Sequence, residues 1–253
     1  MRRLNHSYFV LMIPFMIGVS TPAFSTTLLV DQCPSCGNPG TALQIISSDL
    51  NPNSKTAVGL VNNTFSWDPA AKGAITSIDA SVDKDFTFTQ SSPVTASFAN
   101  NFRPLIEQNG NFYFAQITGT VVDVTNSSSA TTGYVTISKT GLVATDFTQY
   151  DFTTGTFGVA NPDFSTSGAV MLFGLGQITS ISAASSVSHA TVELDFDNLS
   201  ITVNDPTTFT DSTFNLANYS ETPEFVFPTP EPSTLLLLGS GLVGLAGYRR
   251  KKF

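Results

Sequence analysis

Between Thr41 and Asn204 the chain alternates. Ile78, Ala80, Val82, Phe86 and Phe88 fall on one parity, while Asp79, Ser81, Asp83 and Asp85 fall on the other. An extended strand sends successive side chains to opposite faces, so this run predicts a strand buried on one side and wet on the other. The pattern recurs in Phe112-Tyr113-Phe114-Ala115-Gln116-Ile117, launched by the turn signal Asn109-Gly110-Asn111. It recurs again in Tyr134–Ser138, Gly168–Gly174 and Ala190–Phe196. No segment between these runs shows a helical period, and no internal repeat suggests a propeller or solenoid. Strands at this density without helices predict an all-β, antiparallel sandwich or barrel. Phe supplies the filling: 21 of the 253 residues are phenylalanine.

Charge narrows the class of partner. The formal net charge is −8, but the cations crowd the two ends. Between them lie only Lys55, Lys72, Lys84, Arg103 and Lys139, five cations against eighteen carboxylates, a net of −13. Such a middle repels phosphate backbones and excludes nucleic acid as an expected partner. It suits solubility outside the cell.

The ends read as transport signals. Met1-Arg2-Arg3 followed by the apolar Tyr8–Val19 has the form of a secretory signal peptide, with small residues Ala23 and Ser25 placed for signal peptidase. Cleavage after Ser25 is expected. Cys33 and Cys36 are the only cysteines, in Cys33-Pro34-Ser35-Cys36. A redox pair needs a helix start after it, and Gly37-Asn38-Pro39-Gly40 is turn chemistry. Zinc needs four ligands, and the mature chain adds only His189. In an oxidising compartment a local disulfide is the favoured reading. The expected divisions are a signal helix at 1–25, the β domain at 26–204, an extended Pro/Thr-rich linker at 205–229 and a sorting segment at 230–253.

That last segment has three blocks in order. Pro230-Glu231-Pro232 breaks any helix, Ser233–Tyr248 is an uncharged apolar run, and Arg249-Arg250-Lys251-Lys252 is a cationic stop. As a helix the apolar run would span roughly 24 Å, slightly short of a ~30 Å hydrocarbon core. A plain C-terminal membrane anchor would account for it. The order of blocks also resembles the PEP-CTERM sorting signal of Gram-negative bacteria. The resemblance implies recognition by exosortase, a membrane protease thought to cut near Pro230-Glu231-Pro232. It also implies a membrane-anchored precursor bound for the cell surface or extracellular matrix.

A second, looser resemblance covers the middle. Trp67-Asp68-Pro69, Phe102–Tyr113, Phe173-Gly174-Leu175-Gly176 and Asp195–Ile201 stand in the order seen in concanavalin-like jelly rolls. In Glu193-Leu194-Asp195-Phe196-Asp197, alternation puts three carboxylates on one face. That strand resembles the acidic strand of jelly-roll glucanases, which would make Glu193 and Asp197 a nucleophile and acid/base pair in a glycoside hydrolase or lyase. The last position is Asp where those enzymes carry Glu, one methylene shorter. A Ser-His-acid set would depend on His189, and no nucleophile-elbow motif accompanies it. Glycan binding would draw on Trp67, Arg103, Gln108, Asn109, Tyr113 and Tyr134. A structural calcium ion has oxygen donors at Asp49, Asn51 and Asn53, or at Asp195, Asp197 and Asn198, without an EF-hand pattern; no other cofactor is expected. The reading that follows is an exported, non-enzymatic sandwich that is structural or polysaccharide-associated.

Overall fold

The computed structural model describes residues 26–52, 54–115, 120–182, 187 and 189–226. The expected signal helix and its cleavage residues Ala23 and Ser25 lie outside the described residues, as does the sorting segment from Pro230 to Phe253 with its transmembrane helix. Among the described residues, no helix is long and apolar enough to cross a membrane.

The described chain is all-β and antiparallel. In order the strands are β1 (Thr27–Gly37), β2 (Gly40–Leu50), β3 (Lys55–Trp67), β4 (Ile78–Gln108), β5 (Asn111–Ala115), β6 (Thr120–Thr131) and β7 (Val135–Leu142). They continue with β8 (Phe147–Asp151), β9 (Thr156–Phe157), β10 (Met171–Ser182), β11 (Ala190–Val203), β12 (Thr207–Asp211), β13 (Tyr219–Glu221) and β14 (Phe225–Val226). The sheet runs β1-β2-β11-β4-β10-β3-β13, with the shorter strands branching from this path. One four-residue helix, Pro69–Lys72, is capped by the Asp68 carboxylate accepting from Ala70 N.

Strand β4 organises the sheet. It is 31 residues long. Its first half pairs with β11 and β7, its second half with β10 and β5, and β6 runs beside both. The ring of Phe98 lies 4.7 Å from Phe88 and 5.9 Å from Phe86. Ten residues of straight strand would hold such rings about 33 Å apart, so β4 turns over on itself and carries the sheet with it. The turn falls where pairing with β6 slips between Thr89 and Val94, around exposed Ser91, Ser92 and Pro93. Proline lacks the N–H that a continuous ladder needs, which suits it to this corner.

The main core fills the space between the two halves. Leu43, Ile45, Val82, Phe86, Phe88, Val192, Leu194 and Phe196 come from one side, with Val58, Phe98, Phe102, Phe173 and Leu175 from the other. A smaller apolar cluster covers the opposite face of the second half, built from Ala57, Val61, Leu105, Phe114, Tyr150, Phe152, Ile178 and Phe225. Gly176 serves this cluster, because a Cβ there would strike the Phe114 ring. The turn at Asn109-Gly110 joins β4 to β5 with positive φ at both residues, 54° and 74°, the conformation an Asn-Gly hairpin prefers.

One expectation is corrected. The stretch 205–229, expected as an extended linker, is part of the fold as far as Val226. Strand β12 pairs with β11, while β13 and β14 pair with β3. Phe214 is fully buried and Phe225 closes the smaller cluster. Open sheet edges supply backbone partners to a Thr-rich segment whose own apolar residues are too sparse to signal strands.

Candidate functional site

The acidic face of β11 is real, and its three carboxylates differ. Inward-pointing Val192, Leu194 and Phe196 bury the strand, so Glu193, Asp195 and Asp197 share the outer face. Strand β2 lies alongside and places Gln44 opposite Asp195. Gln44 Nε2 donates to Glu193 Oε1 at 2.9 Å and to Asp195 Oδ1 at 3.1 Å. Burial holds the Asp195 carboxyl up at about 6, opposed by the Gln44 hydrogen bond and aided by Glu193 and Asp85 nearby.

Asp197 is fully buried and fully engaged. Its Oδ2 accepts from Asn38 N at 2.6 Å and its Oδ1 from Asn198 N at 2.7 Å. Asn198 Nδ2 donates onward to Asn38 O and to Asp83 Oδ2. These bonds clasp the tip of the β1–β2 hairpin over the acidic face. The disulfide between Cys33 and Cys36 sits at that tip, where the pairing register of β1 slips before Gly37. Tyr134 closes the arrangement, its hydroxyl donating to Cys36 O at 2.5 Å. Burial, then the carboxylates of Asp195, Asp197, Asp85 and Asp83, push that hydroxyl upward and keep it protonated.

The residues of the expected calcium sets have protein partners. Asp195 Oδ1 accepts from Gln44 Nε2, both Asp197 oxygens accept backbone N–H groups, and Asn198 directs its NH₂ to Asn38 O and Asp83 Oδ2. Asp49 Oδ1 lies 3.2 Å from His189 Nδ1, Asn51 Nδ2 donates to Asp49 O, and Asn53 is outside the described residues. Among the described residues, no group of three or more His, Cys, Asp or Glu is arranged to hold a metal ion.

Of the six residues named for glycan contact, Trp67, Arg103, Gln108 and Tyr113 are buried, Tyr134 is half-buried and Asn109 is exposed at the β4–β5 turn. Trp67 is 5% exposed and donates Nε1–H to Gly73 O. Gln108 is spent on the backbone of Asp163 and Ala169. Arg103 donates to Ala115 O and stacks over Phe157, and Tyr113 joins the main core. Beside Gln108 and Tyr113, Glu107 and Phe112 are half-buried and Asn109 is exposed, while Phe114 on the far side of Tyr113 is buried in the smaller cluster. Asn111 and Phe112 line a cleft of about 210 Å³ together with Gly110, Gln149, Asp151 and Thr153. Gln149 Nε2 donates to Asn111 Oδ1 across it, and Phe112 packs edge-on against Phe152.

The tail decides the route. Residues 228–251 match the PEP-CTERM protein-sorting motif. The chain carries an exosortase sorting signal. The PEP-CTERM match takes in Pro230-Glu231-Pro232 and Arg249-Arg250-Lys251, with Lys252 one residue beyond. It implies processing by exosortase, a membrane protease, and a secreted, membrane-anchored precursor sorted to the cell surface. The PEP-CTERM motif begins two residues after β14 ends, so in the sequence almost nothing separates the last strand from the signal. No curated protein matches the chain.

Proposed function

We propose that the exported domain is a non-catalytic, jelly-roll-like sandwich that works at the cell surface or in the extracellular matrix as a structural or polysaccharide-associated component. The PEP-CTERM motif joined directly to an all-β unit carries this reading. The overturned β4, which lays one half of the sheet over the other around a common core, supports the sandwich.

Two features of the acidic face argue against hydrolysis. An acid/base residue must gain and lose a proton at the substrate, and Asp197 is sealed from solvent with both oxygens accepting backbone N–H groups. Glu193 and Asp195 share one amide donor, which fixes both in the ground state. The cleft beside β5 and β8 offers what a neutral sugar needs, a ring face at Phe112 and planar amides at Asn111 and Gln149.

Mass spectrometry of the protein from fractionated cells tests the route. Surface material ending near Pro230-Glu231-Pro232 is expected, and surface material retaining Lys251-Lys252-Phe253 would sink the processing step. Retention on the producing cell's own polysaccharide tests the role. Phe112→Ala is expected to weaken it about tenfold, the loss of one stacking contact; unchanged retention overturns the cleft assignment. Turnover of β-glucan abolished by Glu193→Gln would overturn the non-catalytic reading.

A further inference from the structure

Lys84 breaks the parity rule of its strand. It stands between Val82 and Phe86 on the inner face of β4, directly across from Phe196 of β11, and is 1% exposed. Among the described residues it makes no ion pair. Its ammonium crosses the core to Asn100 in the second half of β4. Nζ donates to Asn100 O at 3.0 Å and is in contact with Asn100 Oδ1.

Asn100 is equally unusual. It is 0% exposed on the inner face, flanked by Phe98 and Phe102, and its Nδ2 has no hydrogen-bond partner. An unaccompanied ammonium and an unsatisfied amide nitrogen in an aromatic core both call for an explanation. An amine held against a carboxamide, with water excluded and the carboxamide nitrogen unencumbered, is the arrangement for acyl transfer between the two side chains.

We propose that Lys84 and Asn100 join in an intramolecular isopeptide bond that ties the two halves of the sheet together through the core. The Nζ lone pair adds to Asn100 Cγ, forming a C–N bond. A proton passes from Nζ to Nδ2, the Cγ–Nδ2 bond breaks, and ammonia leaves. Amine plus carboxamide become secondary amide plus ammonia, with no oxidant, reductant or co-reactant. Asn100 O accepts from Nζ and so aims the amine at its own side chain. Burial lowers the Lys84 ammonium to about 8, which populates the neutral, nucleophilic amine near neutral pH. Intramolecular placement of this kind reaches effective molarities of about 10⁵–10⁸ M, which removes the entropic part of the barrier to amide aminolysis. The product also removes both burial problems, since a secondary amide carries no charge and one N–H in place of three on the ammonium and two on the amide.

The test is a denaturing digest of the exported protein followed by mass spectrometry. The expected species is the Lys84 peptide joined to the Asn100 peptide, lighter than their sum by one ammonia. Lys84→Arg and Asn100→Ala are expected to abolish it. Recovery of separate, unmodified Lys84 and Asn100 peptides from protein that unfolds cooperatively overturns the proposal. A second measurement does not depend on any variant folding well. With the bond present, Lys84→Met lowers the melting temperature, because the tie is lost. Without the bond, Met merely replaces a buried ammonium and the melting temperature stays level or rises, which also overturns it.

Discussion

Lys84 and Asp197 lie on the same pair of strands, one position out of step, and face opposite ways. Phe196 pairs with Lys84, and Asp197 with Asp83. Both ionisable side chains are buried, yet their surroundings differ in kind. Asp197 on the outer face meets two backbone N–H groups, one per oxygen, and holds the hairpin tip that covers it. Lys84 on the inner face meets one side chain and its carbonyl, among phenylalanines. A buried charge is stable where fixed donors replace its water, and reactive where they do not. The contrast separates a carboxylate that serves structure from an amine placed for chemistry.

Removing the Asp197 carboxylate should have the largest effect. Asp197→Ala strands the N–H groups of Asn38 and Asn198 beneath the hairpin, and a loss of about 3 kcal/mol in urea denaturation is expected. An effect below about 1 kcal/mol would show that the clasp is dispensable and would reopen Asp197 to other roles.

The pH dependence of the inner site sharpens the other side of the comparison. In Asn100→Ala the amine is unlinked and titrates. With a folded value near 8 against an ordinary 10.5, the native state gives up its proton first. Stability then rises as pH climbs from about 8 towards 10.5, by on the order of 3 kcal/mol. The natural protein, linked, should lack this rise. A rise of equal size in both proteins would mean that Lys84 is free in each.

Asp195 gives the smallest and most specific signal. Its folded value near 6 lies above the ordinary 3.8, so the native state holds the proton more tightly than the unfolded chain. Its contribution is fully present below about pH 4 and is lost as pH rises through 6. Asp195→Asn should remove that decline and raise stability at pH 7 by about 1–2 kcal/mol, measured as a flatter profile between pH 4 and 6. Equal pH profiles for the two proteins would place Asp195 in water and loosen the account of the acidic face.

Much of this was legible in the chain, and the failures share one cause. The run from Ile78 to Phe88 announced its strand, and the carboxylates of β11 fell on one face as alternation required. Asn109-Gly110 announced its hairpin. Lys84 was also visible in that run, as the one inward position not filled by an apolar residue. Nothing local said that Asn100 would face it, because that depends on β4 turning over around Pro93. Trp67, Arg103, Gln108 and Tyr113 looked like a binding surface because residue type suggests contact but not direction. Strands β12 to β14 were missed because they borrow backbone partners from β11 and β3 in place of an apolar pattern of their own.

The sequence by itself determined the strand pattern, the acidic outer face and the sorting route. Each rests on short-range order: side-chain alternation, turn residues, and three consecutive blocks at the tail. Only the tertiary structure decided which buried groups meet. It set Asp197 beneath the hairpin amides and Lys84 against Asn100, since those contacts depend on how a 31-residue strand bends and what lies across the core. Their chemistry follows from the dielectric and the partners found there, which no local pattern encodes.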